Sequence, residues 1–465
     1  MGGGKCEGMP ETAKILVDKV RELQRKLWVC AQQSKTRRFH ALYDRIYRSD
    51  VLWRAWMRVR SNGGAAGVDQ ATLRSIEERG VKQFLEGIQA DLKAGRYRPS
   101  PVMRRWIPKA DGKQRPLGIP TVRDRVVQMA AKIVVEPIFE ADFLECSYGF
   151  RPRRSATQAL EAIREAGNRG YNFVLDADIK GYFDNIQRTT LMELVKERIS
   201  DRRVLKLIRQ WLAAGVMEDG TVRETLAGTP QGGVISPLLA NIYLNYLDRI
   251  WQSRCSQIGM LVRYCDDFVV MCQRESQARE ALRRVGLVMQ RLGLELHPEK
   301  TRMVDLRRGR EGFVFLGCTV RKKRSIQRNP RWHFMQRWPS PKAMKRIRKR
   351  VREMTDARQS GSDVKQIIAK LTPVLRGWGN YFRTGNADRK FNQLDQYVLA
   401  CLARWRYRRG GQRKGRVEKW THDRLVSMGL YRLRTTVKYP AQATPVRSSL
   451  SRVRENRTHG LKGVC

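Results

Sequence analysis

The chain has 465 residues, with 93 Lys and Arg against 45 Asp and Glu, and a formal net charge of +48. Such an excess calls for a polyanionic partner. The 41% hydrophobic content and 11 Trp set it apart from a histone-like or ribosomal protein and leave room for about three packed domains.

The nine cysteines are scattered with no Cys-x-x-Cys pair, so a zinc ribbon or knuckle is not expected, and in a reducing cytosol they are free thiols. The residues from Met1 to Cys6 mimic a myristoylation site but carry Cys6 where Ser or Thr is expected, and no signal-peptide core follows. No apolar run reaches membrane-spanning length, so no membrane partner is expected.

In chain order, the spacing of Ile15, Leu16, Val20, Leu23 and Leu27 predicts a helix over 11–33. An apolar and aromatic stretch at 38–60 ends in a glycine-rich turn at 62–67 that lacks the Lys and Ser or Thr of a P-loop. One helix is predicted over about 70–94, ending at Gly95. Residues 102–107 and 116–119 read as a hairpin around Asp111 and Gly112, with Lys109 and Arg115 beside its turn. Helices near 123–142 and 155–166 precede strands near 173–178, 261–265 and 268–272.

Past Gly317 the composition shifts, and a basic linker runs from Arg321 to Pro341. Three helices are then predicted. The first hides Met344, Ile347, Val351 and Met354 and shows Lys345, Arg348, Lys349 and Arg352; the second is interrupted at Pro373; the third buries Phe391, Leu394, Val398, Leu402 and Trp405. One intensely basic face suits a phosphate backbone. The residues from Arg404 to Arg416, including Arg406, Arg408 and Arg409, interleave cations with aromatics, a pattern for stacking on unpaired bases.

Two acidic clusters interrupt apolar strands. Asp176, Asp178 and Asp184 follow Phe173–Leu175, and Asp266 and Asp267 sit between Met260–Tyr264 and Phe268–Met271. Each alone also fits an ordinary turn or solvated strand end. In a chain so short of acids, two strand tips bearing Asp suit a two-metal centre with ions ~3.5–4 Å apart. A bare carboxylate in an apolar setting needs such a partner. Asp178, Asp266 and Asp267 are the favoured set, with Asp176 and Asp184 as weaker candidates.

The run from Asp178 to Asp184 resembles motif A of reverse transcriptases, Tyr264–Asp267 resembles motif C, and Gly228–Tyr243 resembles motif B. The stretches Ile107–Pro120 and Ser147–Pro152 resemble the two finger blocks, and Leu294–Thr301 and Phe313–Gly317 the blocks that follow. The wording of all seven is similar to that of group II intron reverse transcriptase/maturases, and the resemblance covers about residues 35–440. Cys265 stands where Ala is commoner and leaves both carboxylates intact.

The resemblance implies an α+β right-hand polymerase with an antiparallel palm sheet flanked by helices, an α-helical thumb and a short basic C-terminal region. It implies two Mg²⁺ ions (Mn²⁺ as a substitute) on Asp178, Asp266 and Asp267 with the carbonyl of Ile179. Lys109, Arg115, Phe183, Gln231 and Lys300 then serve the nucleotide. Phe183, five residues after Asp178, is the steric gate or a core aromatic, and Lys300 is the candidate acid for pyrophosphate. The turn at 62–67 contacts the template or is a plain turn, and Gly232 and Gly233 let backbone approach a base. Leu375–Phe382, with Arg376, resembles the thumb or maturase X signature.

The expected partners are an RNA template with primer, deoxynucleotides, the intron RNA and target DNA, in a bacterial-type cytoplasm or on the nucleoid. No His- and Cys-containing endonuclease domain is expected. The expected segments are an N-terminal extension over 1–60, fingers and palm over 61–320, a basic linker over 321–341 and a thumb over 342–408. A basic nucleic-acid-binding segment over 409–440 and a flexible tail over 441–465 complete the chain. The alternatives are a domesticated cellular reverse transcriptase, as in phage defence, without an intron partner, and an RNA-binding maturase with a minor polymerase role.

Overall fold

The computed structural model describes residues 11–108, 112, 114–218, 221–223, 232–324, 333–356, 363–409 and 421–438, and the architecture is α+β. The chain folds into two compact units, residues 1–163 with 171–303, and residues 164–170 with 304–465. The passage between the two compact units falls near residue 303. Among the described residues no helix is long and apolar enough to cross a membrane.

In the first unit, α1 (Glu11–Gln33), α2 (Tyr43–Ile46), α3 (Ser49–Asn62), α4 (Leu73–Arg79) and α5 (Val81–Lys93) precede a hairpin of β1 (Val102–Pro108) and β2 (Gln114–Ile119). Next come α6 (Val122–Glu140) and α7 (Ala156–Asn168), whose last turn belongs to the second unit. The chain continues through β3 (Phe173–Ala177), α8 (Tyr182–Asn185), α9 (Arg188–Lys196), α10 (Arg202–Ala213), β4 (Val216–Glu218), β5 (Thr221–Arg223) and α11 (Ser236–Ile250). The hairpin of β6 (Met260–Tyr264) and β7 (Asp267–Cys272), α12 (Glu275–Arg291) and β8 (Arg302–Asp305), in which the unit boundary falls, follow.

Helix α6 is apolar on nearly every side, with Val126, Val127, Ala130, Ile133, Val134 and Ile138 buried, so it runs through the core. Val20, Leu23 and Leu27 of α1 and Leu52 and Trp56 of α3 pack in that same core. The N-terminal helices are thus part of this unit. The single helix expected over 70–94 is instead two. Gly80 takes φ +105° and ends α4, whose start is fixed by Thr72 accepting from Ser75 N.

Strands β2, β1, β4 and β5 form one sheet in that order, with β1 and β2 antiparallel and β1 and β4 parallel. The second sheet runs β6-β7-β3-β8, antiparallel through β6, β7 and β3. Its residues Val174, Leu175, Val262, Val269 and Val270 are buried, and α12 covers β3 and β7.

The second unit holds β9 (Gly312–Phe315), β10 (Cys318–Arg324), β11 (His333–Pro339), α13 (Pro341–Met354), α14 (Val364–Phe382), α15 (Asp388–Arg409) and α16 (His422–Ser427). The described residues of the stretch read as a basic linker are therefore mostly strand. Arg321–Arg324 belongs to β10, which pairs with both β9 and β11. Cys318, Val320, Met335 and Arg337 are buried at alternating positions, so the inward pattern survives among the cations. Ser340 caps α13 by accepting from Ala343 N at 3.2 Å, with Pro341 at the first helical position.

Pro373 lies inside a continuous α14 and does not interrupt it. Residues of α13, α14 and α15 share an interior that includes Ile347, Val351, Ile368, Leu371, Leu394 and Val398. Residues 421–438, expected within a separate basic segment, are fastened to these helices. Asp395 accepts from Leu433 N at 3.1 Å and Arg434 N at 3.0 Å, and a Cβ at Gly379 would meet Leu433 at 2.5 Å.

Candidate active site

The acids meet because of strand register. Ala177 of β3 pairs with Phe268 of β7, so the next residues, Asp178 and Asp267, lie at the same edge of the sheet. Tyr264 pairs with Asp267, leaving Cys265 and Asp266 as a two-residue turn. Cys265 takes φ +60°, the sign that primed hairpin turns require at their first position. Asp176 sits one strand position inside and is half-buried, whereas Asp184 lies on α8 and is exposed.

Charge is crowded at this edge. Burial, then the charges of Asp266, Asp178 and Asp176, push the Asp267 carboxyl up to about 6, against the pull of Lys300. Asp267 keeps an exposed face at the hairpin tip, so like-charge crowding is the cause that counts most here. Burial also raises Asp176, with Arg302 opposing it from 3.3 Å. Lys300 Nζ donates to Asp178 Oδ2 at 2.9 Å.

Among the described residues no three His, Cys, Asp or Glu side chains converge into a ready metal cage. The donor set nonetheless fits a hard divalent cation. All its donors are carboxylate oxygens, and Asp176, Asp178, Asp266 and Asp267 outnumber the balancing Lys300 and Arg302. Backbone bonds from Lys180 N to Glu295 O and from His297 N to Asp178 O flank Ile179 and do not use its carbonyl.

One residue of this site was not singled out from sequence. Arg263, on β6, is completely buried. Its Nε and Nη2 donate to the two oxygens of Asp248 on α11, at 2.8 and 2.5 Å. Nη1 donates to Asn241 Oδ1 at 3.1 Å and to Cys265 O at 2.9 Å, and Nη2 also reaches Ser147 Oγ at 2.8 Å. A single guanidinium thus ties the acidic turn to α11 and to the segment 146–151. The available signal was a cation inside an otherwise apolar strand, with an acid fifteen residues earlier.

That segment lies directly on the turn. Tyr148 N donates to Arg263 O, and Arg263 N to Cys146 O, both at 2.8 Å. A Cβ at Gly149 would come within 2.5 Å of Cys265 N.

Among the residues expected to serve a nucleotide, Phe183 is half-buried beside Tyr182, with ring centroids 5.3 Å apart, and packs on the core. Tyr182 is buried and donates to Ala240 O at 2.6 Å. Lys109 and Gln231, and the side chain of Arg115, lie outside the described residues. Gly232 takes φ +114°, and a Cβ there would strike Gly118 O at 2.4 Å. Contact with β2 is thus sufficient to require the glycine. Gln128 Oε1 accepts from Val234 N at 2.9 Å and fastens the same loop to α6. In the turn at 62–67, a Cβ at Gly67 would meet Thr121 backbone at 2.7 Å, and Arg125 donates to Gly63 O and Ala65 O.

Within the second unit, Lys345, Arg348, Lys349 and Arg352 of α13 line one groove together with Lys390 and Gln393 of α15. Arg348 stands over the Tyr397 ring at 5.5 Å. Arg376 instead covers Tyr431 at 5.4 Å, and Arg404 donates back to Ala400 O, so neither lines the groove. The side chains of Arg406, Arg408 and Arg409 lie outside the described residues.

Comparison with known proteins supplies the family. The profile of the reverse transcriptase (RNA-dependent DNA polymerase) family matches residues 107–320, and that of the group II intron maturase-specific domain matches residues 344–432. Protein YkfC of Escherichia coli K12 is 35% identical over 344 residues, which is 66% of this chain and 89% of that protein. The group II intron-encoded protein LtrA of Lactococcus lactis is 42% identical over 215 residues, 45% of this chain but only 35% of LtrA. An uncharacterized 91 kDa protein in the cob intron of Schizosaccharomyces pombe is 27% identical over 433 residues, covering 78% of this chain and 53% of that protein.

Proposed function

The chain belongs to the group II intron-encoded reverse transcriptases and maturases, and from that premise we propose how its residues divide the work. Membership makes it a metal-dependent RNA-directed DNA polymerase that acts on an RNA template and assists its intron RNA in splicing and mobility. In our reading the sheet of β3, β6 and β7 is the palm, the β1–β2 hairpin belongs to the fingers, and α13–α15 form the thumb.

Asp178, Asp266 and Asp267, with the Ile179 carbonyl, would hold Mg²⁺, or Mn²⁺ in its place; bound there, the ions supply activation of the primer 3′-OH and neutralisation of the leaving pyrophosphate. Lys300 releases Asp178 and delivers its Nζ proton to a pyrophosphate oxygen. Phe183 lies against the sugar and disfavours a 2′-OH. Lys109, Arg115 and Gln231 hold the deoxynucleotide. The basic groove of α13 and α15 follows the phosphate backbone of the duplex and of the intron RNA, with target DNA as a further substrate. The setting is a bacterial-type cytoplasm.

The observation that supports this most is the register that brings Asp178 and Asp267 to one edge beside Asp266. The test is Asp266→Ala, assayed for primer extension and, separately, for RNA binding. Extension should vanish with RNA affinity kept. Extension at near wild-type rate would remove the acids from catalysis.

A further inference from the structure

The first two turns of the otherwise apolar α6 bury three polar side chains, Asp124, Arg125 and Gln128. A buried polar group is costly unless its hydrogen bonds are made. Each of the three makes them with a different segment. Arg125 donates to the turn at 62–67. Asp124 and Gln128 lie four residues apart and so on one face of the helix, and they take the two segments assigned above to the nucleotide.

Asp124 holds the base of the β1–β2 hairpin at both ends. Its Oδ2 accepts from Ser100 N at 3.1 Å, just before β1, and from Thr121 Oγ1 at 2.7 Å, just after β2. Its Oδ1 accepts from Tyr97 Oη at 2.7 Å, and Trp211 Nε1 of α10 donates to that hydroxyl at 3.1 Å. The base is thereby tied to a second helix. Farther out the hairpin has less to lean on. β1 pairs with β4 at Val102 and Met103, near its start, while Trp106 and Ile107 are 50% and 46% exposed. A lever of that kind points where its base directs it.

Gln128 holds the loop at 232–235. Its Oε1 accepts from Val234 N at 2.9 Å and lies 3.5 Å from Ile235 N. The loop also touches the hairpin, since a Cβ at Gly232 would strike Gly118 O. Hairpin, loop, α6 and α10 surround a hollow of only about 20 Å³, whose lining includes Ser100, Pro120, Asp124, Gln128, Gly233 and Trp211. That is room for about one water. The joint has no slack to absorb a change in either fastening.

We propose that Asp124 and Gln128 are positioning residues for the incoming deoxynucleotide. They fix the spacing between the hairpin that carries Lys109 and Arg115 and the loop that follows Gln231, and so set the affinity for the triphosphate without touching it. The inference rests on reading Lys109, Arg115 and Gln231 as the nucleotide's contacts, and it names what aims them.

The test is steady-state primer extension by the full-length protein, with KM for the deoxynucleotide and kcat determined separately. Template–primer affinity and unfolding temperature are measured alongside. Thr121→Val removes the hydroxyl that Asp124 holds, and Gln128→Met removes the loop's acceptor at similar volume. Both should raise KM roughly 10-fold, within the ~100-fold that a misplaced group can cost, with kcat changed far less and template–primer affinity kept. Thr121→Ser keeps the hydroxyl and should restore the wild-type KM. Val134→Ala shortens a buried α6 side chain that belongs to neither hydrogen-bond network, and should lower the unfolding temperature with KM unchanged.

A wild-type KM in either Thr121→Val or Gln128→Met overturns the proposal. An equal rise in Val134→Ala also overturns it, because general loosening of α6 would then suffice. Arg115→Ala and Gln231→Ala keep the two readings apart. If neither raises KM, the nucleotide contacts themselves are misassigned. If both raise it while Thr121→Val and Gln128→Met behave as wild type, only the positioning role is lost.

Discussion

Arg263 and Asp248 form a two-pronged ion pair in which neither side chain has any exposed surface. Removing one partner of such a pair strands a buried charge, at a cost of about 3–5 kcal/mol. The pair is also one end of a network that reaches the Cys265 carbonyl. Stability and catalysis should therefore separate.

Arg263→Met should destabilise the protein by that amount in denaturant unfolding, and adding Asp248→Leu should recover much of it. Primer extension should not recover in the double variant. Cys265 O, Asn241 Oδ1 and Ser147 Oγ would still lack their donor. Recovery of both together would reduce Arg263 to packing.

The raised carboxyl of Asp267 gives a pH signature to the chelated protein. Its folded value, about 6, lies above the ordinary carboxylate value of about 3.9. The folded state therefore binds the proton more tightly, so this group's stabilising contribution is present below pH ~4 and is lost as pH rises through about 6. Asp266→Ala removes a like charge, so the fall between those values should become shallower than in wild type. Thermal unfolding in EDTA across pH 4–7 measures it, and parallel curves for the two proteins would refute the crowding.

Phe183→Ala should raise ribonucleotide incorporation relative to deoxynucleotide incorporation. The side chain is only half-buried beside Tyr182, so part of it is open to solvent. The ratio of incorporation efficiencies for the two sugars is the measurement. An unchanged ratio would leave Phe183 as core packing.

Charge reversal of Lys345, Arg348 and Arg352 to Glu should weaken RNA binding and flatten its salt dependence, by about 0.7–0.9 in log–log slope per lost phosphate contact. All three line one groove, so their effects should fall together. Arg376→Glu should change the slope less, because Arg376 is spent on Tyr431. Binding titrations at several salt concentrations decide it. Equal slopes for wild type and the triple variant would make the groove merely solvated charge.

The meeting of the acids at one edge was legible because carboxylates end two apolar strands, where they need a charged partner or solvent to offset their cost. The apolar spacing of α1 and α13 was equally plain. The sheet hidden in the basic stretch was not, because β10 keeps its inward period at Cys318 and Val320 while Lys and Arg fill the outer and distal positions. Gly80 was passed over as one glycine within a helical pattern, although only its positive φ divides α4 from α5. Arg263 escaped for a different reason. Its value lies in partners at Ser147, Asn241 and Asp248, distant in sequence, and no local pattern announces such convergence. At Gly232 the sequence did not announce the nearby backbone of β2, which by itself requires a glycine.

The contact between Lys300 and Asp178 gives the acidic edge an internal counterion. Its positive charge offsets part of the repulsion that Asp178 shares with Asp266 and Asp267. On the proposed reading, cation uptake would be an exchange reaction, in which an ammonium leaves Asp178 as a metal arrives. Apparent metal affinity would then be set partly by where the lysine goes next, and an incoming triphosphate would offer it a new anionic partner. Metal and nucleotide uptake would in this way be thermodynamically linked through one side chain.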